Sequence, residues 1–169
     1  MISCGLGTIN NVEQTGESGD TETKSETEEV VPFELPDLKA AVEHMVTNLV
    51  MNDMTELDGD GIILRYGIVD KYTDAYAVVS ATIASDECVI FKAKDESAAA
   101  EIAELLKTYR NERIELYNGY APEETPRLKS AFIDARGCYV VFAATLTPDM
   151  AAEIWLSLPE ALEGQNGEE

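Results

Sequence analysis

Basic residues are scarce in this 169-residue chain: 12 Lys and Arg stand against 33 Asp and Glu, a formal charge of -21. Such a surface repels phosphate backbones and anionic headgroups, so nucleic acid is not an expected partner. Long apolar runs are missing too. The most apolar stretches, "CVIFKA" and "CYVVFAATL", have the length of buried strands, well short of the ~18 to 20 residues of a spanning helix. The chain has one histidine and three cysteines with no CxxC pair, so neither a Ser-His-Asp arrangement nor a dithiol redox motif can be assembled. No catalytic residue and no cofactor is expected.

Hydrophobic content is 45 %, enough for one domain with a real core, and the apolar residues cluster between Phe33 and Leu162. Upstream, residues 5–35 read as a disordered acidic tether. From Gly5 to Val31 seven acidic residues face one Lys, among Thr, Ser, Gly and Asn, and such a segment buries too little apolar surface to offset its ordering entropy. Residues 36–162 read as the folded domain and 163–169 as a flexible tail.

Within the domain, Leu38, Ala41, Val42, Met45 and Leu49 recur at helical spacing after Pro36 and Asp37. "MNDMTELDGDG" supplies turn residues, and "GIILRYGIV", "AYAVVSATI" and "ECVIFKAK" read as three β segments. A long helix is expected from Glu96 to about Asn118, with Ala99, Ile102, Leu106, Tyr109, Arg113 and Leu116 along or beside one face and Gly119 capping its end. "APEETPRLKSA" reads as a short helical connection, "AFIDARGCYVVFAATL" as a hairpin turning near Ala135 to Gly137, and "TPDMAAEIWLSLPEAL" as a closing helix started by Thr147 and Pro148. The expected class is α+β: a mainly antiparallel sheet with helices packed on one face.

The succession of the "FKAKD" strand ending, the charged helix ending in "YNGYAP" and the later "GCYVVF" strand, together with "YGI" at Tyr66 to Ile68, resembles the domain-of-unknown-function family 4358 over roughly residues 36 to 158. The resemblance implies an α+β domain and a small bacterial lipoprotein of the clostridial Firmicutes kind, located in the cell envelope; it carries no activity or site to transfer. It also gives meaning to Cys4. "ISC" at Ile2, Ser3 and Cys4, followed by Gly5 and a polar tether, fits the end of a lipobox at residues 1–4, so Cys4 is the expected lipidation site and the membrane a partner through that anchor. Only Met1 precedes Ile2, so the export signal is expected to have been removed or to lie before a start placed too late. Without such a signal the chain would be cytoplasmic.

Other candidate features are weaker. Cys88 and Cys138 lie in β segments and are read as buried thiols, with a bridge between them in an oxidising compartment as the alternative. "ELDGDGIILRYG" places Asp58, Asp60 and Gly61 at EF-hand spacing, but Glu56 stands first and Gly67 occupies the closing position, so it reads as a turn and no metal is expected. "GLGTIN" lacks both the preceding strand and the final Gly of a dinucleotide fingerprint. His44 sits one step from the apolar face of the first helix, a boundary position. Tyr109, Tyr117 and Tyr120, around the "YNGYAP" corner, are the candidate binding surface.

Three function classes follow. The first is a non-catalytic binding or interaction module tethered to the outer face of the cytoplasmic membrane, with a protein or cell-wall ligand. The second is an extracytoplasmic enzyme acting on a wall component through a carboxylate pair, which requires two carboxylates facing across a pocket with at least one partly buried. The third is a cytoplasmic acidic interaction protein with an unmodified N-terminus.

Overall fold

A computed structural model describes residues 32–164. Residues 1–4 with Cys4, residues 5–31 of the expected tether and residues 165–169 of the expected tail lie outside the described residues. The elements run α1 (Leu38–Asn48), β1 (Met54–Glu56), α2 (Gly59–Tyr66), β2 (Tyr72–Ser80), β3 (Glu87–Ala93), α3 (Glu96–Tyr120), a 3-10 turn (Pro122–Glu124), α4 (Thr125–Lys129), β4 (Phe132–Arg136), β5 (Tyr139–Ala144) and α5 (Pro148–Glu163). The five strands form one antiparallel sheet in the order β1-β2-β3-β5-β4, the expected α+β class.

The helices do not share one face, contrary to expectation. Antiparallel pairing sends alternate side chains of β3 and β5 to opposite sides. Cys88 and Ile90 with Tyr139, Val141 and Ala143 meet α1 and α5, where Met45, Trp155 and Leu158 are fully buried. Val89 and Phe91 with Val140, Phe142 and Ala144 meet α2, α3 and α4, around Ile62, Ile102, Leu106 and Leu128. All six residues of β5 and all but Lys92 of β3 are buried. Unbroken apolar strands such as "YVVFAA" need cover on both sides, because a strand with one wet face alternates polar and apolar residues.

A second departure is α2, expected as a strand. The apolar run "IILRYGI" is short enough for either state, and its ends decide. The Asp58 carboxylate accepts from the Gly61 amide at 2.7 Å, capping the N-terminus, and Gly67 closes the other end at φ +65, a conformation open to glycine. The "MTE" stretch, expected as turn, pairs with β2 as the short edge strand β1.

Elsewhere the expectations hold with shifted boundaries. Asp37 caps α1 by accepting from the Ala40 amide at 2.6 Å. α3 continues through Gly119, so this glycine lies inside the helix rather than at its cap, and Tyr117 instead of Leu116 continues the buried face. The β4–β5 hairpin turns at Gly137 and Cys138. Pro148 takes the first position of α5, while the Thr147 hydroxyl bonds that of Thr145 rather than the helix. Phe33, Glu34 and Leu35, expected within the tether, dock on the domain. The Phe33 ring lies 4.6 Å from that of Trp155, Glu34 accepts from the Tyr139 hydroxyl at 2.8 Å, and Leu35 is buried.

The capping account of α2 is checked by Asp58→Ala, which removes the acceptor for the Gly61 amide. Urea denaturation should show a loss of about 1 kcal/mol with the slope unchanged.

Candidate functional site

The polar chemistry of the domain concentrates on the α2/α3 side of the sheet. Glu87 opens β3 opposite Val79 of β2 and Ala144 of β5. Register sends its side chain beneath α3 together with Val89 and Phe91, and it is fully buried. An isolated buried carboxylate is prohibitively costly, so its partners must be built in. Arg65 of α2 supplies two: Nε donates to Oε1 at 3.0 Å and a terminal nitrogen to Oε2 at 2.6 Å. The Tyr109 hydroxyl of α3 donates to both oxygens, at 2.8 and 3.0 Å. Burial alone would lower the Arg65 guanidinium, but the Glu87 hydrogen bond and charge outweigh it and hold it above its ordinary value. Burial, then the Glu87 charge, pushes the Tyr109 phenol up. Tyr66 stacks on Tyr109 with ring centroids 4.9 Å apart; its hydroxyl is buried without a hydrogen-bond partner, and burial followed by the Glu87 charge pushes it well up.

A second network ties the β2–β3 loop to the end of α3. Glu124 accepts from the Ser85 amide at 2.8 Å and from its hydroxyl at 3.0 Å. Arg127 bridges Glu124 at 3.2 Å and Asp86 at 2.8 Å. Burial pushes Asp86 up, with Arg127 opposing and Glu124 adding to the rise. Burial would also push Glu124 up, but the Ser85 hydrogen bonds and Arg127 hold it below the ordinary range. These carboxylates are engaged from within the fold.

The candidate tyrosines do not form one surface. Tyr109 is buried against Tyr66 and Phe142, and Tyr117 is buried with its ring 4.8 Å from that of Tyr120. Tyr120 is half exposed. Arg113 stacks on Tyr117 at 4.7 Å and donates to its hydroxyl at 3.1 Å. Cys88 is a buried free thiol, pushed up to about 12 by burial and the neighbouring Glu87 charge. It does not bridge to Cys138: the Cys138 carbonyl bonds the Ala93 amide at the far end of β3, five residues away, roughly 16 Å at ~3.3 Å per residue, beyond the ~7 Å limit for a disulfide. His44 is half-buried on α1. Asp58 and Asp60 belong to the start of α2, and among the described residues no cluster of three His, Cys, Asp or Glu is placed to hold a metal.

Four surface grooves differ in charge. One of about 530 Å³ carries Lys71, Glu101 and Glu104. A second, of about 290 Å³ between α1 and β1, holds Glu43 and Glu56 on either side of Tyr76, whose hydroxyl donates to Glu56 at 2.7 Å; both glutamates are exposed. A third, at the start of α5, carries Asp149 and Glu153. The fourth, about 370 Å³ between α2 and α3, is lined by Leu57, Gly61, Leu64, Arg65, Tyr109 and Arg113. It contains no carboxylate, and Leu64 projects into solvent at 89 % exposure. The sequence pattern places Arg113 along or beside the face of the long helix but marks neither it nor Arg65, Glu87 and Leu64 as site residues. A signal exists for Arg65, a single charge embedded in the apolar run "IILRYGI"; Glu87 follows Asp86 at the polar start of "ECVIF" and carries no such mark.

The family model of a domain of unknown function, DUF4358, matches residues 48–145. No curated protein and no solved structure matches.

Two outcomes test this chemistry. Glu87→Ala strands Arg65 and the Tyr109 hydroxyl and should cost about 3 to 5 kcal/mol in denaturant unfolding, whereas Glu87→Leu combined with Arg65→Met should recover most of that loss. The second concerns alkaline pH. Burial raises the phenols of Tyr66, Tyr72, Tyr76, Tyr109, Tyr117 and Tyr139, with Tyr76 and Tyr117 pushed up to about 12. Unfolded tyrosine releases its proton near ~10, so above that pH the unfolded state binds fewer protons than the folded one. The stabilisation is complete below pH ~10 and is lost as pH rises through about 12. Phenolate absorbance and circular dichroism should therefore change together in that window rather than absorbance changing first.

Proposed function

We propose a function for this chain from the premise that it belongs to the DUF4358 family, a domain of unknown function: it is a non-catalytic binding module tethered to the outer face of a bacterial cytoplasmic membrane, and its ligand sits in the α2–α3 groove. The observation that carries the reading is the groove itself. Its walls are the exposed Leu64, the half-buried Leu57 and two arginines, while the buried carboxylates nearby are held by internal cations. Glu87, locked by Arg65 and Tyr109, is a structural group in this reading, with no oxygen left for proton transfer to a substrate.

The tether half of the proposal rests on Cys4 and Gly5 and on the polar, acidic composition that follows. A diacylglyceryl group on Cys4 brings two acyl chains, the number that stable anchoring requires. Phe33, where the described chain begins to dock, packs against Trp155 on the α1/α5 side of the sheet; the groove lies on the opposite side. A tether leading to Phe33 leaves the groove clear of the anchor.

The test uses protein expressed from its native locus with the upstream DNA. Intact mass and membrane fractionation should show a lipid-sized increment and a membrane pool, both lost in Cys4→Ser; an unmodified soluble chain overturns the tether. Purified protein mixed with soluble wall fragments should return them at unchanged mass, with amide shifts confined to residues 57–65 and 109–113. New product masses would establish an enzyme instead.

A further inference from the structure

Resting on the groove assignment above, we infer that the α2–α3 groove binds a small organic anion with an apolar tail, its carboxylate or phosphate head meeting Arg113 and its tail lying across Leu57 and Leu64. Three observations converge on this chemistry. The first is charge. In a chain with 33 acidic residues, the three grooves described beside it each carry two carboxylates, whereas this one carries none and two arginines. A local reversal of sign inside a strongly negative protein selects and focuses anions.

The second is the state of Arg113. Arg65, Arg127 and Arg136 each pair with a carboxylate, and Arg110 donates through Nε and a terminal nitrogen to the Asn111 side chain. Arg113 pairs with none among the described residues: one terminal nitrogen donates to the Tyr117 hydroxyl, and Nε is buried with no partner. A half-buried guanidinium left without an anion keeps donors free for one, and its planar fork matches carboxylate and phosphate oxygens. Stacking on the Tyr117 ring at 4.7 Å holds that fork in place without neutralising it. Arg65, by contrast, has its charge met by Glu87, so the net positive charge of the groove resides on Arg113.

The third is the apolar wall. Leu64 is 89 % exposed on a helix that buries Ile62 and Tyr66 and leaves Ile63 at 40 %. Leu57 and the Cβ-less Gly61 complete a shallow floor beside it. The cavity of about 370 Å³ falls within the range of small-molecule sites, and a cation at one end with leucines at the other fits an amphiphile rather than an inorganic ion.

The experiment titrates full-length isotopically labelled protein with octanoate, octyl phosphate and, as a neutral molecule with the same tail, octyl glucoside, each below its aggregation concentration. Octanoate and octyl phosphate should shift residues 57–65 and 109–113 and the Arg113 side-chain resonance, with affinity falling as salt rises. Arg113→Gln should weaken both by about tenfold, the loss of one charge-assisted pair, and Arg113→Lys should restore part of it. Leu64→Asp, at an exposed position that the core does not use, should abolish binding with the fold intact and so guards against misreading an unfolded Arg113 variant. Octanoate and octyl phosphate also distinguish the two head chemistries by their relative affinity. Equal binding of octyl glucoside in the groove would overturn the anion inference while leaving the groove reading standing. Shifts confined to other surfaces, or none, would overturn the inference; a groove that answers to wall fragments but to none of these amphiphiles would keep the module and reject its ligand class.

Discussion

A carboxylate that cannot reach water organises one side of this domain. Because β3 pairs in a register that turns Glu87 beneath α3, the fold must bring a cation and a hydroxyl to that point, and it takes them from two helices distant in sequence. Arg65 fixes how α2 lies on the sheet, and Tyr109 fixes the rotation of α3 about its axis. Apolar packing alone tolerates small slides of one helix on another; a bidentate pair inside a low-dielectric interior does not. The α2–α3 groove is the external consequence, since Arg65 and Tyr109 form its inner wall while Leu64 and Arg113 form its outer one.

The second network performs a similar task at the far end of α3. Ser85 and Asp86, leaving the β2–β3 loop, are held by Glu124 and Arg127 from the segment that follows α3. A 25-residue helix is thereby anchored at Tyr109 in its middle and by the neighbours of its C-terminal end. Arg113 lies between these two anchors, one turn from Tyr109 and one turn from Tyr117. Its position is thus determined by contacts on both sides, although no carboxylate among the described residues holds it. Rigid support on either side of a donor is what a binding arginine needs, because less entropy is lost when the ligand arrives.

Particular elements show where reading the chain succeeds. The helical spacing of Leu38, Ala41, Val42 and Met45, the long pattern from Glu96, and the closing run after Pro148 all appear as α1, α3 and α5, since amphipathic periodicity over several turns is a strong local signal. The run "IILRYGI" is misleading because its period is too short to decide and its outcome rests on Asp58 and Gly67 at its ends. Residue type alone marks Tyr109, Tyr117 and Tyr120 as a surface, yet of the three only Tyr120 is open to solvent; burial of Tyr109 and Tyr117 follows from the phase of α3 on the sheet. The groove was invisible because its walls come from two helices some fifty residues apart, and no local pattern marks residues that meet across such a distance.

By itself the amino-acid sequence determined the class of fold, the strongly acidic charge balance and the order of most helices and strands, all of which depend on composition or on neighbours within a few turns. Tertiary structure alone decided that helices cover both faces of the sheet, that Glu87 is buried and paired, that antiparallel pairing puts Cys88 and Cys138 at opposite ends of the β3–β5 ladder, and that Arg113 faces a groove free of carboxylates. The physical reason is one and the same. Propensity and periodicity act along the chain, whereas desolvation and charge pairing act through space, and strand register converts the first into the second.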